Sequence, residues 1–318
     1  MKVSTHVFLM VSIMALLISS CQVIPTEPTP DFPATIEQME IQNQIATMQM
    51  ESTQQAATIE SLITQVPPTN TPTPPAIEVT QEPTEDSGYA GEFTVIEKDG
   101  FIIKLPSEVA QDIMVSNVLP DDPEEGWPEF VLPARRVISF SGYSIQNHFH
   151  KSLIYVYPLQ EMIDSGQYGG TMATNLQVLL DDPNFDLHQE TNLPFLPPFN
   201  AAQVFHILEK RLDSDNNSGI RFLTLYSQGI VGVDNYNIFY TYQGISADEM
   251  YYIAAILPIN STLLSYEELT LEEMDTISQD FTNYIITMTE LIRTDNGESL
   301  IPTLASLDFM MMSLLSQD

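Results

Sequence analysis

Between Lys2 and Lys98 the chain carries no lysine or arginine, while residues 21–92 carry 11 carboxylates and two clusters of proline. No other feature limits the fold as strongly. Acidic side chains without cationic partners repel one another, and proline removes the amide donors that helices and sheets require. Residues 93–318 hold the other nine basic residues and long apolar runs, and their length suits one domain. The composition therefore divides the chain into 1–20, 21–33, 34–66, 67–92 and a globular part at 93–318.

The first segment has an export pattern. Lys2 supplies a positive start, and 7–18 is an apolar run too short to cross a bilayer as a helix, which takes about 20 residues. It ends in Ile18-Ser19-Ser20-Cys21, and Cys21 is the only cysteine of the chain. This motif resembles the lipobox of bacterial lipoproteins. The resemblance covers the first 21 residues and implies cleavage after Ser20 and diacylglycerol on the Cys21 thiol. Two acyl chains suffice for stable anchoring. A coincidental cysteine after an ordinary secretory signal is the plainer alternative. On the lipobox reading the chain is exported and lipid-anchored on the extracytoplasmic face of a bacterial membrane.

A stalk is expected next. Pro25, Pro28, Pro30 and Pro33 mark 21–33 as a spacer, and Thr71-Pro72-Thr73-Pro74-Pro75 marks 67–92 as a second one. Between them, 34–66 has neither proline nor glycine and predicts a helix of about 50 Å at 1.5 Å per residue. Its heptad seam is mostly apolar, broken at Ser52 and Gln55, and its four charges are all negative. A coiled coil that forms a homo-oligomer and a solitary solvated helix both remain open. An extended second spacer adds up to roughly 80 Å of reach.

For 93–318 the expected class is α+β, an antiparallel β-meander sheet packed by C-terminal amphipathic helices. Lys98-Asp99-Gly100 predicts a hairpin, and Pro106-Ser107 predicts a short helix after it. Strands are expected near 136–140 and 153–157, and a helix capped by Thr171 near 171–180. Four β-rich runs, 201–212, 220–227, 236–243 and 250–256, are separated by turn residues and predict an antiparallel meander. Thr270 opens a long helix whose apolar face is Met274, Ile277, Phe281, Tyr284, Ile285, Met288 and Leu291. A last helix after Pro302 presents Leu304, Leu307, Met311 and Leu314. The opening hairpin with Leu105-Pro106 and the closing Leu307-Asp308-Phe309-Met310-Met311-Met312-Ser313-Leu314 resemble PsbP/Mog1-like domains. That resemblance implies an α-β-α sandwich and carries no activity.

Chemical motifs are sparse. A formal charge of −33, from 43 acidic and 10 basic residues, argues against nucleic acid, since phosphate binding needs clustered cations. There is no nucleophile elbow, Ser-x-x-Lys, P-loop or dinucleotide fingerprint, and no cofactor is expected. His148 and His150 would share a face of a strand and could offer two metal ligands, but spacing indicates no third. His206 is expected as a packed or hydrogen-bonded sheet residue. Residues 213–219 begin like a calcium loop but lack its glycine and glutamate, which favours a turn. Asp121, Asp122, Glu124 and Glu125 suit a solvated acidic loop.

Aromatic residues crowd the meander. Tyr226, Tyr240, Tyr242 and Tyr252 are candidates for a ligand platform, and cross-strand packing accounts for the same residues without a ligand. The resulting expectation is a non-catalytic module that binds an extracytoplasmic protein or glycan through the meander face or the 193–198 loop. A small-molecule or cation carrier is the alternative, and a hydrolase is the least favoured.

Overall fold

The structure, a computed structural model, describes residues 88–124, 128–267 and 269–317. Cys21, the export segment, the 34–66 helix and nearly all of the 67–92 spacer lie outside the described residues.

Strands β1 (Phe93–Lys98) and β2 (Phe101–Pro106) form the expected hairpin. Asp99 and Gly100 both have positive φ, 47° and 77°, the pair of values that a two-residue hairpin turn requires. The expected helix at 106 is only a turn, closed by Val109 and Ala110 amides on the Pro106 carbonyl. The chain instead enters a second sheet, where the Gln111 amide donates to the Ser141 carbonyl at 2.9 Å.

One antiparallel sheet of seven strands organises the domain. Its members are β3 (Asp112–Val118), β4 (Arg135–Ser141), β5 (Leu153–Pro158), β6 (Ala202–Asp213), β7 (Asn217–Ser227), β8 (Phe239–Ser246) and β9 (Tyr251–Pro258). They lie in the order β3-β4-β5-β9-β8-β7-β6. The run β6 to β9 is a meander in which each strand pairs antiparallel with the next. Short segments β10 (Asn260–Ser261), β11 (Leu300–Ile301) and β12 (Leu315–Ser316) complete the pairing, β12 adding to β2.

The sheet is buried on both faces, and alternate residues serve different cores. On one face Tyr240, Tyr242, Ile253, Ala255 and Leu257 join the hairpin and the C-terminal helices. On the other, Phe239, Ile245, Tyr252, Ala254 and Ile256 join α1 (Leu159–Ser165), α2 (Tyr168–Asp181) and the loop at 193–196. Helix α2 begins before the expected Thr171. A Cβ at Gly170 would stand 2.4 Å from the Met162 carbonyl oxygen, so glycine lets the two helices touch.

The long helix expected from Thr270 is two helices, α3 (Leu271–Ser278) and α4 (Phe281–Asp295). Asp280 explains the break, because its carboxylate accepts the Asn283 amide and starts a new helix. Helix α3 buries no residue, while α4 buries Thr289 and Ile292, with Tyr284, Ile285 and Met288 packed beside them. Leu291, expected inward, is exposed.

The last helix, α5 (Leu304–Ser313), buries Leu307, Met310 and Met311. It is fastened through polar groups. Asn217 donates to the Met311 and Leu314 carbonyls at 3.0 and 2.9 Å, and Tyr242 donates to Asn217 Oδ1 at 2.6 Å. Asp308, almost fully buried, receives Tyr240 Oη at 3.1 Å and pairs with Arg221 at 3.2 Å. Burial pushes the Asp308 carboxyl up, against the opposing pull of Arg221, Lys210 and the hydrogen bonds.

Two buried tyrosines supply opposite tests. The Tyr157 hydroxyl is buried without a partner, whereas that of Tyr242 closes the Asn217 network. Denaturant unfolding of the full chain should show Tyr157→Phe stabilising by about 1 kcal/mol, since an unsatisfied buried hydroxyl is removed. Tyr242→Phe should destabilise by about 1–2 kcal/mol, because Asn217 Oδ1 loses its donor.

Candidate functional site

The four tyrosines expected as a ligand platform do not form one. Tyr240 and Tyr242 have no exposed surface and face the C-terminal helices, while Tyr252 is equally buried on the opposite face. Tyr226 belongs to the Tyr252 side, half-buried, with its ring 4.5 Å from that of Phe195. Strand alternation separates 240 and 242 from 252, and helical layers on both faces cover them. Their hydroxyls are structural: Tyr252 donates to Gln243 Oε1 at 2.8 Å. The same Gln243 oxygen accepts the Leu196 amide at 3.0 Å, and its Nε2 donates to the Leu196 carbonyl. That clamp fixes the 193–198 loop, whose Leu193, Phe195 and Leu196 are buried. The loop is core and offers no docking face through those three residues.

Exposed aromatic side chains lie elsewhere, among them Phe149 of the 148–150 segment and Tyr236. This segment is bent rather than a strand, and the His148 and His150 rings still lie side by side, with centroids 5.8 Å apart. The Phe149 amide donates to the Tyr236 carbonyl at 2.9 Å, which joins the loop before β5 to the loop before β8. Phe149 is 64% exposed and Tyr236 41%, and their rings are 6.1 Å apart at a steep angle. Below them the His150 ring stacks on Phe199 at 5.2 Å and meets the edge of Phe239 at 4.5 Å. Phe195 and Tyr226 extend the stack into the core. An exposed shelf thus rests on a column of rings that runs from half-buried His150 and Phe199 to buried Phe239 and Phe195.

The two histidines here are poor ligands. His148 Nε2 lies 2.8 Å from the Ile238 carbonyl, so it donates, and Nδ1 accepts the His150 amide at 3.0 Å. Both ring nitrogens of a neutral imidazole are then occupied. Burial lowers the pKa of His148, despite hydrogen bonds that favour its charge. Burial, with the neighbouring His148, brings His150 down to about 4. At neutral pH both present uncharged rings.

Other candidates resolve into structure. Asp213, at the start of the calcium-like stretch, is held by Arg211 at 3.0 Å and by the Ser218 hydroxyl. Asp121 of the acidic loop pairs with Arg135 at 2.9 Å and accepts the Leu132 amide. Among the described residues, no group of three metal-binding side chains is placed to hold an ion. An open groove of about 430 Å³ lies between Asp99, Val115, Asn117 and Arg136. The Arg136 guanidinium sits 3.9 Å from the centre of the Phe101 ring.

Phe149 enters the sequence only as the residue between two histidines, and no pattern distinguishes it. The other arrangement hidden from the sequence is at β6. His206 and Glu209, three apart, should face opposite sides of a regular strand, yet His206 Nδ1 lies 2.6 Å from Glu209 Oε1. A register shift between Ile207 and Lys210 brings them together. No family model matches the chain, and no curated protein matches it.

The shelf and its support are separable by mutation. Phe149→Ala should change unfolding stability by no more than about 0.5 kcal/mol. Phe239→Ala, in the supporting column, should cost about 3–5 kcal/mol. His150 supplies a pH signature of the column. Its depressed pKa means that stability falls as pH drops from its ordinary 6.5 to about 4. Acid unfolding of His150→Phe should lack that slope.

Proposed function

We propose that the chain is an exported lipoprotein, anchored through Cys21, that displays its α+β domain as a non-catalytic interaction module. The partner is an extracytoplasmic protein or glycan, and the docking surface is the shelf of Phe149 and Tyr236. The shelf carries this reading, because it is exposed aromatic surface on a rigid base. Aromatic residues are the side chains that recur in the centres of binding surfaces. On this reading the 34–66 and 67–92 segments are a stalk that lifts the domain from the membrane. The domain is a PsbP/Mog1-like sandwich, a likeness that the two-faced burial of the antiparallel sheet supports.

Charge bears on the partner. Lys98, Arg135, Lys210, Arg211 and Arg221 pair with carboxylates of the domain itself, and Lys104 lies over the Phe309 ring. Cations engaged this way leave little for an anionic ligand, so a neutral or cationic partner suits the surface. The carrier reading would instead use the Asp99, Val115, Asn117 and Arg136 groove.

Anchoring and docking are tested apart. In a bacterial host, the wild-type chain should incorporate an alkyne-labelled palmitate and sediment with membranes. Cys21→Ser should do neither, and continued labelling of that variant would overturn the anchor. Retention of the purified full chain on immobilised wall polysaccharide or envelope protein should drop about tenfold on Phe149→Ala with Tyr236→Ala, a loss of about 1.4 kcal/mol. Unchanged retention, with melting temperature raised by calcium or a sugar, would favour the groove.

A further inference from the structure

Strand β6 contains a backbone feature that packing alone does not require. Leu208 has a φ of 52°, in the left-handed region that a leucine seldom occupies, and the β6–β7 register shifts there. Strain of this kind costs about 1–3 kcal/mol and persists where surrounding structure imposes it. Here its carbonyl is taken by Arg221 Nη1. The consequence of the bulge is that His206 and Glu209 meet.

Glu209 has no exposed side-chain surface, and two imidazoles approach it. His206 Nδ1 stands 2.6 Å from Oε1. His188, from the segment between α2 and β6, brings Nδ1 within 2.7 Å of Oε2, off the axis of a hydrogen bond, which leaves Oε2 without a hydrogen-bond partner. The opposite side of the His206 ring, Nε2, lies 2.9 Å from the Glu190 carbonyl.

Counting protons defines the state. A carbonyl only accepts, so His206 Nε2 must carry a proton. One further proton must lie between Nδ1 and Oε1, and with Glu209 ionised it sits on Nδ1, an imidazolium against a carboxylate, whereas His148 is satisfied when neutral. Burial favours the neutral Glu209 carboxyl, but the His206 hydrogen bond, its own amide and both imidazoles outweigh it and hold the pKa below the ordinary value.

Other nearby charges are occupied elsewhere. Arg211 addresses Asp213 and the Leu180 carbonyl, and Arg221 and Lys210 address Asp308. From the segment itself Glu190 offers its carbonyl, and Asp186 accepts the His188 amide.

The geometry points to a proton-operated clamp, in which imidazolium at His206, seconded by His188, fastens the 186–190 turn onto edge strand β6. Raising the pH takes the Nε2 proton, because the Nδ1 proton faces the carboxylate, and sets a lone pair against the Glu190 carbonyl, which frees the turn. Lowering it keeps the Nε2 proton and the Glu190 bond in place, so the clamp opens on the alkaline side. The turn is followed by the 193–198 loop, and its attachment does not depend on any partner for the shelf.

The full chain has five histidines, which makes selective nitrogen-15 labelling legible. In acid both ring nitrogens of His206 should be protonated. As pH rises, the Nε2 proton should be lost with the same midpoint at which amide protection factors of 186–192 fall by tenfold or more. In Glu209→Gln the amide group can donate to Nδ1 of a neutral His206, so protection should persist at high pH. A His206 that is neutral while the turn is protected, or protection in the wild type that ignores pH, would overturn the clamp. So would a Glu209→Gln chain that still loses protection. If that variant does not fold, the wild-type titration decides alone.

Discussion

The buried carboxylate of Asp308 is the point on which the domain's two halves depend. It sits on the last helix, yet its partners Arg221 and Tyr240 are on strands β7 and β8 in the middle of the meander. A charge almost out of contact with water is tolerable only when paired and hydrogen-bonded, and the loss of one partner leaves the other stranded. The helix is thereby specified in position, where apolar contacts from Leu307, Met310 and Met311 would allow it to slide. Arg221 uses another of its donors on the Leu208 carbonyl, so the interaction that seats α5 also stabilises the strained residue of the bulge. Core, sheet edge and clamp share one guanidinium.

The opposite face is organised by a neutral amide. Gln243 projects from β8 and satisfies both backbone groups of Leu196, while Tyr252 and Thr241 complete its bonding. A proline-rich stretch without regular structure would otherwise bury unpaired backbone, which is costly. One side chain thus allows an irregular loop to serve as core, and the aromatic column rises from that loop.

Much of the sheet was legible in the sequence, because β6 to β9 are separated by turn residues and short connections force antiparallel neighbours. Other elements escaped for particular reasons. Strand β3 follows a proline-serine pair that equally suits a helix start. Asp280 lies within a continuous apolar periodicity, and only its bond to the Asn283 amide reveals a cap. Alternation along β8 and β9 correctly separates two faces for Tyr240, Tyr242 and Tyr252, but cannot tell whether either face is covered. The exposed shelf was not legible, since Phe149 owes its position to a backbone bond with Tyr236. The meeting of His206 with Glu209 depends on one leucine in the left-handed region, which no residue pattern announces.

The use of Lys98, Arg135, Lys210, Arg211 and Arg221 inside the domain has a consequence between molecules. Their charge is spent on carboxylates of the same chain, and the formal charge of −33 is left with little to offset it. Two copies brought side by side repel, over a range of about 10 Å at 0.1 M salt. A crowded population of this protein would space itself evenly, and its packing density would be set by ionic strength.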